Sequence, residues 1–308
     1  MVLYVPCVPN VPANQKPRRQ SSKRYSVFGV RFFTTNHCQL NHCRKNINLK
    51  TMQRKIQFVL FILITHINAF PQGELIGHSK SGNPIYSYGE RETDSLQPVI
   101  GDTNTVDIID EHISKFFGDS EITVFHELIS DLIHVDVFVI KANEDRNYHI
   151  LMTCGMSSLS MSVPEGLEGL AYAEIVILLP ETWSLDHSDF EDENVYWPIR
   201  QLKVLARFPH LYKTWLGFGH TIANGNPAER MSENCNFKGS LIIPSINLPE
   251  DFMIIETNDK KINVYSMIPI YAEEMDFKLR KGTDKLLKKF FTNGVSEVID
   301  INRINTCL

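Results

Sequence analysis

Tyr172-Ala173-Glu174-Ile175-Val176-Ile177-Leu178-Leu179-Pro180 is an apolar, β-branched-rich run closed by a proline, and runs of this kind read as β-strand. Four similar runs follow the same rule: residues 148–153, 240–243, 252–256 and 262–270, each bounded by Gly, Pro or Asn. Val135, Val137 and Val139 add a strand by their period of two. Between the strands lie three helical patterns. Val106, Ile109, Ile113, Phe116 and Phe117 recur at helical spacing, with Thr105 placed to cap and Gly118 to stop. Residues 197–208 put Pro198 in a first turn and Leu202, Leu205 and Ala206 on one face. Residues 271–292 carry Phe277, Leu286, Leu287, Phe290 and Phe291, with Gly294 as a stop and Gly282 as an internal break. Strands and helices do not alternate strictly, so the expected class is α+β with a mixed sheet flanked by helices. Residues 121–141 stay ambiguous on periodicity, since Phe125, Leu128, Ile129 and Leu132 also suit a helix.

The first third of the chain is different in kind. Residues 1–51 hold 9 Lys or Arg, no Asp or Glu, and the scattered Pro6, Pro9, Pro12 and Pro17, with no sustained period. They read as a disordered basic leader or an over-extended start. Met52-Gln53-Arg54-Lys55 then opens a signal-peptide-like segment, residues 52–69, with the apolar run Phe58-Val59-Leu60-Phe61-Ile62-Leu63-Ile64 and Ala69 at the cut. Translation from Met52 and cleavage after Ala69 make the protein secreted or periplasmic. A basic organelle-targeting leader, or a cytoplasmic protein, is the alternative. His66 and Asn68 interrupt a run already short of the roughly 20 apolar residues a membrane span needs, so no stable anchor is expected. Residues 70–105 are punctuated by Gly73, Gly77, Gly82, Asn83, Pro84 and Gly89 and read as a loop-rich lead-in to a domain at 106–308.

Charge narrows the partner class. The whole chain has 31 basic and 36 acidic residues; removing the leader's 9 basic ones leaves 22 against 36 from Met52 onward, about −14. Such a surface disfavours nucleic acid and anionic lipid and suits a basic protein partner. Of six cysteines only Cys154, Cys235 and Cys307 lie in the domain, which is no disulfide framework; a Cys235–Cys307 bridge stays open.

Chemistry is sparse. His126-Glu127 with His134 eight residues on lacks the i, i+4 spacing of a helical zinc motif, and polar groups at a strand end or turn are the plainer reading. His37-Cys38 and His42-Cys43 lack the two-residue gap of zinc sites. Gly217-Phe218-Gly219-His220 has neither a P-loop lysine nor a dinucleotide spacing; glycine turns beside Trp215, with His220 and Thr221 bonding neighbouring backbone, suffice. Cys154 ends an apolar strand and reads as a buried, inert thiol. The acidic stretch Asp186, Asp189, Glu191, Asp192 and Glu193 lacks an EF-hand glycine and reads as a solvated loop. A metal-dependent or hydrolytic enzyme using His220 with Glu273 and Glu274 is the alternative to a binding module. No metal or cofactor is expected.

One resemblance runs through several segments in order: Val124-Phe125-His126-Glu127-Leu128, Ser130-Asp131-Leu132-Ile133-His134-Val135-Asp136-Val137, Thr153-Cys154-Gly155-Met156-Ser157, the strand quoted above, Trp197-Pro198 leading to Leu205-Ala206-Arg207, Trp215-Leu216-Gly217-Phe218-Gly219-His220-Thr221, and Tyr265-Ser266-Met267-Ile268-Pro269-Ile270-Tyr271-Ala272-Glu273-Glu274-Met275. Over about 107–307 the chain resembles the suppressor of fused family, especially its bacterial single-domain form. The resemblance implies a largely antiparallel sheet and strands at 123–129 and 133–141 turning at Ser130-Asp131. It also implies a non-enzymatic module that sequesters or neutralises a protein, in bacteria as an immunity protein. The animal members grip an extended peptide between two domains, of which this chain shows one. The peptide-binding residues it suggests are Tyr148, Gly155, Trp215, His220, Thr221, Tyr265 and Glu274. A sheet edge near 148–155 or along 262–270 would accept a strand, unless those strands are interior.

Overall fold

In a computed structural model, residues 2–4, 73–89, 101–128, 130 and 132–308 are described. The leader's zinc-like residues, the signal-peptide-like segment 52–69 and residues 90–100 lie outside them. The strands are β1 (Val2–Tyr4), β2 (Glu74–His78), β3 (Pro84–Ser87), β4 (Ile122–Phe125), β5 (Asp136–Ile140), β6 (Tyr148–Cys154), β7 (Tyr172–Pro180), β8 (Thr221–Ala223), β9 (Gly239–Ile243), β10 (Ile254–Glu256) and β11 (Lys261–Ile270). The helices are α1 (Thr103–Phe117), α2 (Glu193–Leu211), α3 (Ala272–Lys281) and α4 (Thr283–Thr292). All the strands join one sheet ordered β2-β3-β1-β8-β9-β11-β7-β6-β5-β4, with β10 beside β11. Among the described strands only β11 and β7 pair in parallel; the expected α+β class with a mixed, largely antiparallel sheet holds.

The strand quoted first sits in the middle of this sheet because both its faces are needed. Ala173, Ile175, Ile177 and Leu179 join a core with Trp197, Leu202, Leu205 and Phe208 of α2. Val176 and Leu178 join Ile109 and Ile113 of α1 on the other face. A strand covered on both sides loses polar alternation. A third cluster, Leu241, Ile243, Ile268 and Ile270 with Met275, Leu286 and Phe290, seats α3 and α4. No helix among the described residues is long and apolar enough to cross a membrane.

Several local expectations need correction. The α1 cap is Asp102, whose carboxylate accepts the Asn104 N–H at 3.2 Å and the Thr105 hydroxyl at 2.7 Å, so Thr105 is inside the helix. The α2 cap is Asp192, accepting from Asn194 N–H at 2.9 Å, which leaves Pro198 beyond the first turn. Gly282, at φ +90°, does divide the last helical stretch into α3 and α4. The 70–105 lead-in contains the β2–β3 hairpin. Residues 2–4 form β1, paired with β3 and β8. Strands 123–129 and 133–141 are found as β4 and β5, while His126, Glu127, Ser130 and His134 are drawn into polar contacts around Asp136. Cys235 and Cys307 are free thiols.

Candidate binding site

Strands β3 and β8 approach each other without pairing, because β1 lies between them. Val2, Leu3 and Tyr4 stand opposite Ser87, Tyr86 and Ile85 of β3 and opposite Ala223, Ile222 and Thr221 of β8, antiparallel on both sides. A three-residue segment separated by more than sixty positions from its nearest described neighbour thus completes the sheet. The rim strands are held independently: β3 by the β2 hairpin, β8 by β9.

The turn that delivers β8 explains the glycine-rich motif. Gly219 has φ +79°, and its N–H donates to Ile242 O at 2.7 Å. A Cβ on Gly217 would lie 2.7 Å from the Trp215 ring. His220 packs edge-on against Trp215 with ring centroids 4.3 Å apart. Neither ring nitrogen makes a hydrogen bond of ordinary geometry, leaving only a weak contact with the Trp215 backbone, and Thr221 Oγ1 has no partner, although both residues are fully buried. The His220 N–H donates to Gly217 O at 3.1 Å, the bond to neighbouring backbone expected of this turn. Burial pushes the His220 imidazole down to about 3, nearby Lys278 adds to the effect, and the Trp215 backbone acts the other way. His220 is therefore neutral at ordinary pH.

The remaining suggested residues are dispersed. Strands β6 and β11 are interior, β6 paired with β5 and β7 and β11 with β7, β9 and β10, so neither offers the edge expected there. Tyr148 donates to Asn247 O at 3.1 Å, and Tyr265 is buried, its phenol pushed up to about 12 by desolvation. Gly155 is structural. It has φ +129°, and a Cβ would fall 1.9 Å from His134 O. Its N–H at 3.1 Å, the Ser157 N–H at 2.9 Å, the Ser157 hydroxyl at 2.7 Å and the Thr153 hydroxyl at 2.6 Å all donate to the buried Glu174 carboxylate. Burial raises the Glu174 pKa and these bonds oppose the rise. The Cys154 thiol is pushed far up by burial, which makes it inert.

The two glutamates of the alternative enzyme reading have partners of their own. Glu274 is fully buried and takes both ends of the Arg303 guanidinium, at 2.7 and 2.6 Å, with the Tyr271 and Thr306 N–H groups; Glu273 accepts from Asn305. Neither carboxylate bonds His220. A polar cluster that sequence reasoning missed gathers instead on Asp136, 4% exposed. His126 Nδ1 lies 3.1 Å from Oδ2, while His134 Nε2 at 2.8 Å and the Glu127 N–H at 2.9 Å reach Oδ1. Ser130 Oγ is 2.8 Å from His134 Nδ1, a serine–histidine–aspartate order. Yet Ser130 is buried and its hydroxyl also lies 2.6 Å from Glu127 Oε2, which Arg207 of α2 pairs. The cluster ties the β4–β5 connection to α2. Among the described residues no group of three or more His, Cys, Asp or Glu is placed to hold a metal.

The structure is a mixed sheet covered by helices on both faces, in which β1 fills the place between β3 and β8. The profile of the suppressor of fused protein (SUFU) family matches residues 131–304, more than half of the chain, and the chain belongs to that family. Its domain is a protein-interaction module. The uncharacterised protein UU111 of Ureaplasma parvum serovar 3 is 27% identical over 202 residues, 64% of this chain and 92% of that one. A SUFU homolog from Neisseria gonorrhoeae FA 1090 shares the fold, with TM-score 0.52 at 18% identity over 67% of this chain and 99% of its own. Drosophila Suppressor of Fused gives TM-score 0.47 at 15% identity, over 69% of this chain and 52% of that longer one.

Proposed function

We propose that the chain is a non-enzymatic protein-binding module that holds an extended segment of its partner as an added strand between β3 and β8. The observation that carries this reading is β1: two sheet edges that meet only through a short strand from the far N-terminus are edges that a separate peptide can satisfy. If translation begins at Met52 and the signal segment is cut after Ala69, residues 2–4 are absent from the exported protein and the slot stands open. The acidic body, about −14 from Met52 onward by the counts above, steers a basic partner toward it. Sequestration or neutralisation of that partner, as by an immunity protein, is the role that follows. Placing a photo-crosslinking residue at Ser87 in the producing cells tests this: cross-links to one foreign protein support it, and cross-links confined to residues 2–4 of the chain itself contradict it.

A further inference from the structure

We infer that the slot between β3 and β8 selects a short extended segment that runs antiparallel to both strands, buries an apolar side chain at its centre, and places a hydroxyl or amide side chain beside Thr221. This deepens the proposed function and rests on the slot being the partner's site.

The register fixes direction first. Strand β1 is antiparallel to β3 and to β8, so the two rims run in the same direction, and a guest reproduces the register of β1 only if it opposes both; a guest parallel to both pairs less stably per residue. Residues directly opposite in an antiparallel pair point to the same face, which assigns a neighbourhood to each guest position. The central position stands between Tyr86 and Ile222, 9% and 0% exposed, both members of the core under α2. A charged side chain there enters an apolar layer without a partner. The first position stands between Ser87 and Ala223. The third stands between Ile85 and Thr221, and the Thr221 hydroxyl is fully buried with no hydrogen-bond partner. A buried hydroxyl left unpaired costs stability, so a guest side chain able to bond it gains affinity that an aliphatic one does not. The basic surface expected of the partner therefore lies outside these three positions.

The test uses the full chain carrying Leu3→Pro, which removes the N–H of β1's central residue and frees the slot. Fluorescein-labelled peptides with the cores Val-Leu-Ser, Val-Lys-Ser, Val-Leu-Val and the reversed Ser-Leu-Val, each flanked by glycines, are titrated by polarisation. Val-Leu-Ser binds most tightly. Val-Lys-Ser loses roughly tenfold or more, Val-Leu-Val loses about threefold, and the reversed core is weaker than the forward one. Adding Thr221→Val, near-isosteric and safe for the fold, erases the preference for Ser over Val. Equal binding of the Lys and Leu cores, or a Ser preference that survives Thr221→Val, overturns the inference and leaves the slot in place. Failure of every peptide to bind a chain that keeps the wild-type near-UV circular dichroism overturns the slot reading itself.

Discussion

His220 and Lys278 are both buried, and each is held away from its charged form. The Lys278 ammonium is pushed down to about 7 by desolvation and the His220 imidazole to about 3. Both folded-state values lie below the unfolded ones, so the unfolded chain binds more protons between them and stability rises with pH. For Lys278 that window runs from about 7 up to 10.5; for His220 it runs from about 3 up to 6.5. Thermal midpoints should climb from pH 7 to pH 9, and Lys278→Met should flatten that climb. A wild-type midpoint that falls over this range contradicts the assignment. Asp136 supports a second prediction. Asp136→Asn removes the carboxylate that His126, His134 and the Glu127 N–H share, which should cost about 1–3 kcal/mol in urea unfolding. Its spacing was visible in the sequence as His126-Glu127 and His134, but the linear pattern showed only a mismatch to a zinc motif. The contact among these residues arises from the antiparallel pairing of β4 with β5 and from Arg207 on α2, neither of which adjacency can reveal.

At the scale of elements, the long apolar runs were legible because burial on both faces erases polar alternation, as β7 and β11 show. Helices α3 and α4 and their break at Gly282 were legible for a local reason, a glycine at φ +90°. The β2–β3 hairpin was not. Glu74–His78 is mostly exposed, and Gly82 and Asn83, which read as loop punctuation, lie in the hairpin turn at 79–83, with Pro84 opening β3. Of the residues suggested from the sequence, Trp215, His220 and Thr221 lie at the turn into β8, whereas Tyr148, Gly155, Tyr265 and Glu274 lie elsewhere in the fold. Gly155 gives a sharp check. Gly155→Ala sets a Cβ 1.9 Å from His134 O at φ +129°, and both terms strain the turn that surrounds Glu174. We expect a loss of about 3 kcal/mol or more, read as a lower urea midpoint. A midpoint shift near zero means that the turn relaxes freely.

For the whole molecule, the core is built from three clusters that the sheet separates into two faces, and membership of the SUFU family places its work at protein contacts. Charge operates at this scale as well. If the acidic body draws a basic partner and the partner adds a strand, as proposed, association should slow as salt rises, since screening at 0.15 M shortens electrostatic reach to roughly 8 Å, while dissociation should change little. Stopped-flow association at two ionic strengths separates the two. The measurement that bears most directly on the central claim is backbone amide hydrogen exchange of the chain alone and in complex with its cellular partner. Added protection concentrated at residues 84–87 and 221–223 is the predicted result. Protection confined to other surfaces, with those two strands unchanged, contradicts strand addition between β3 and β8.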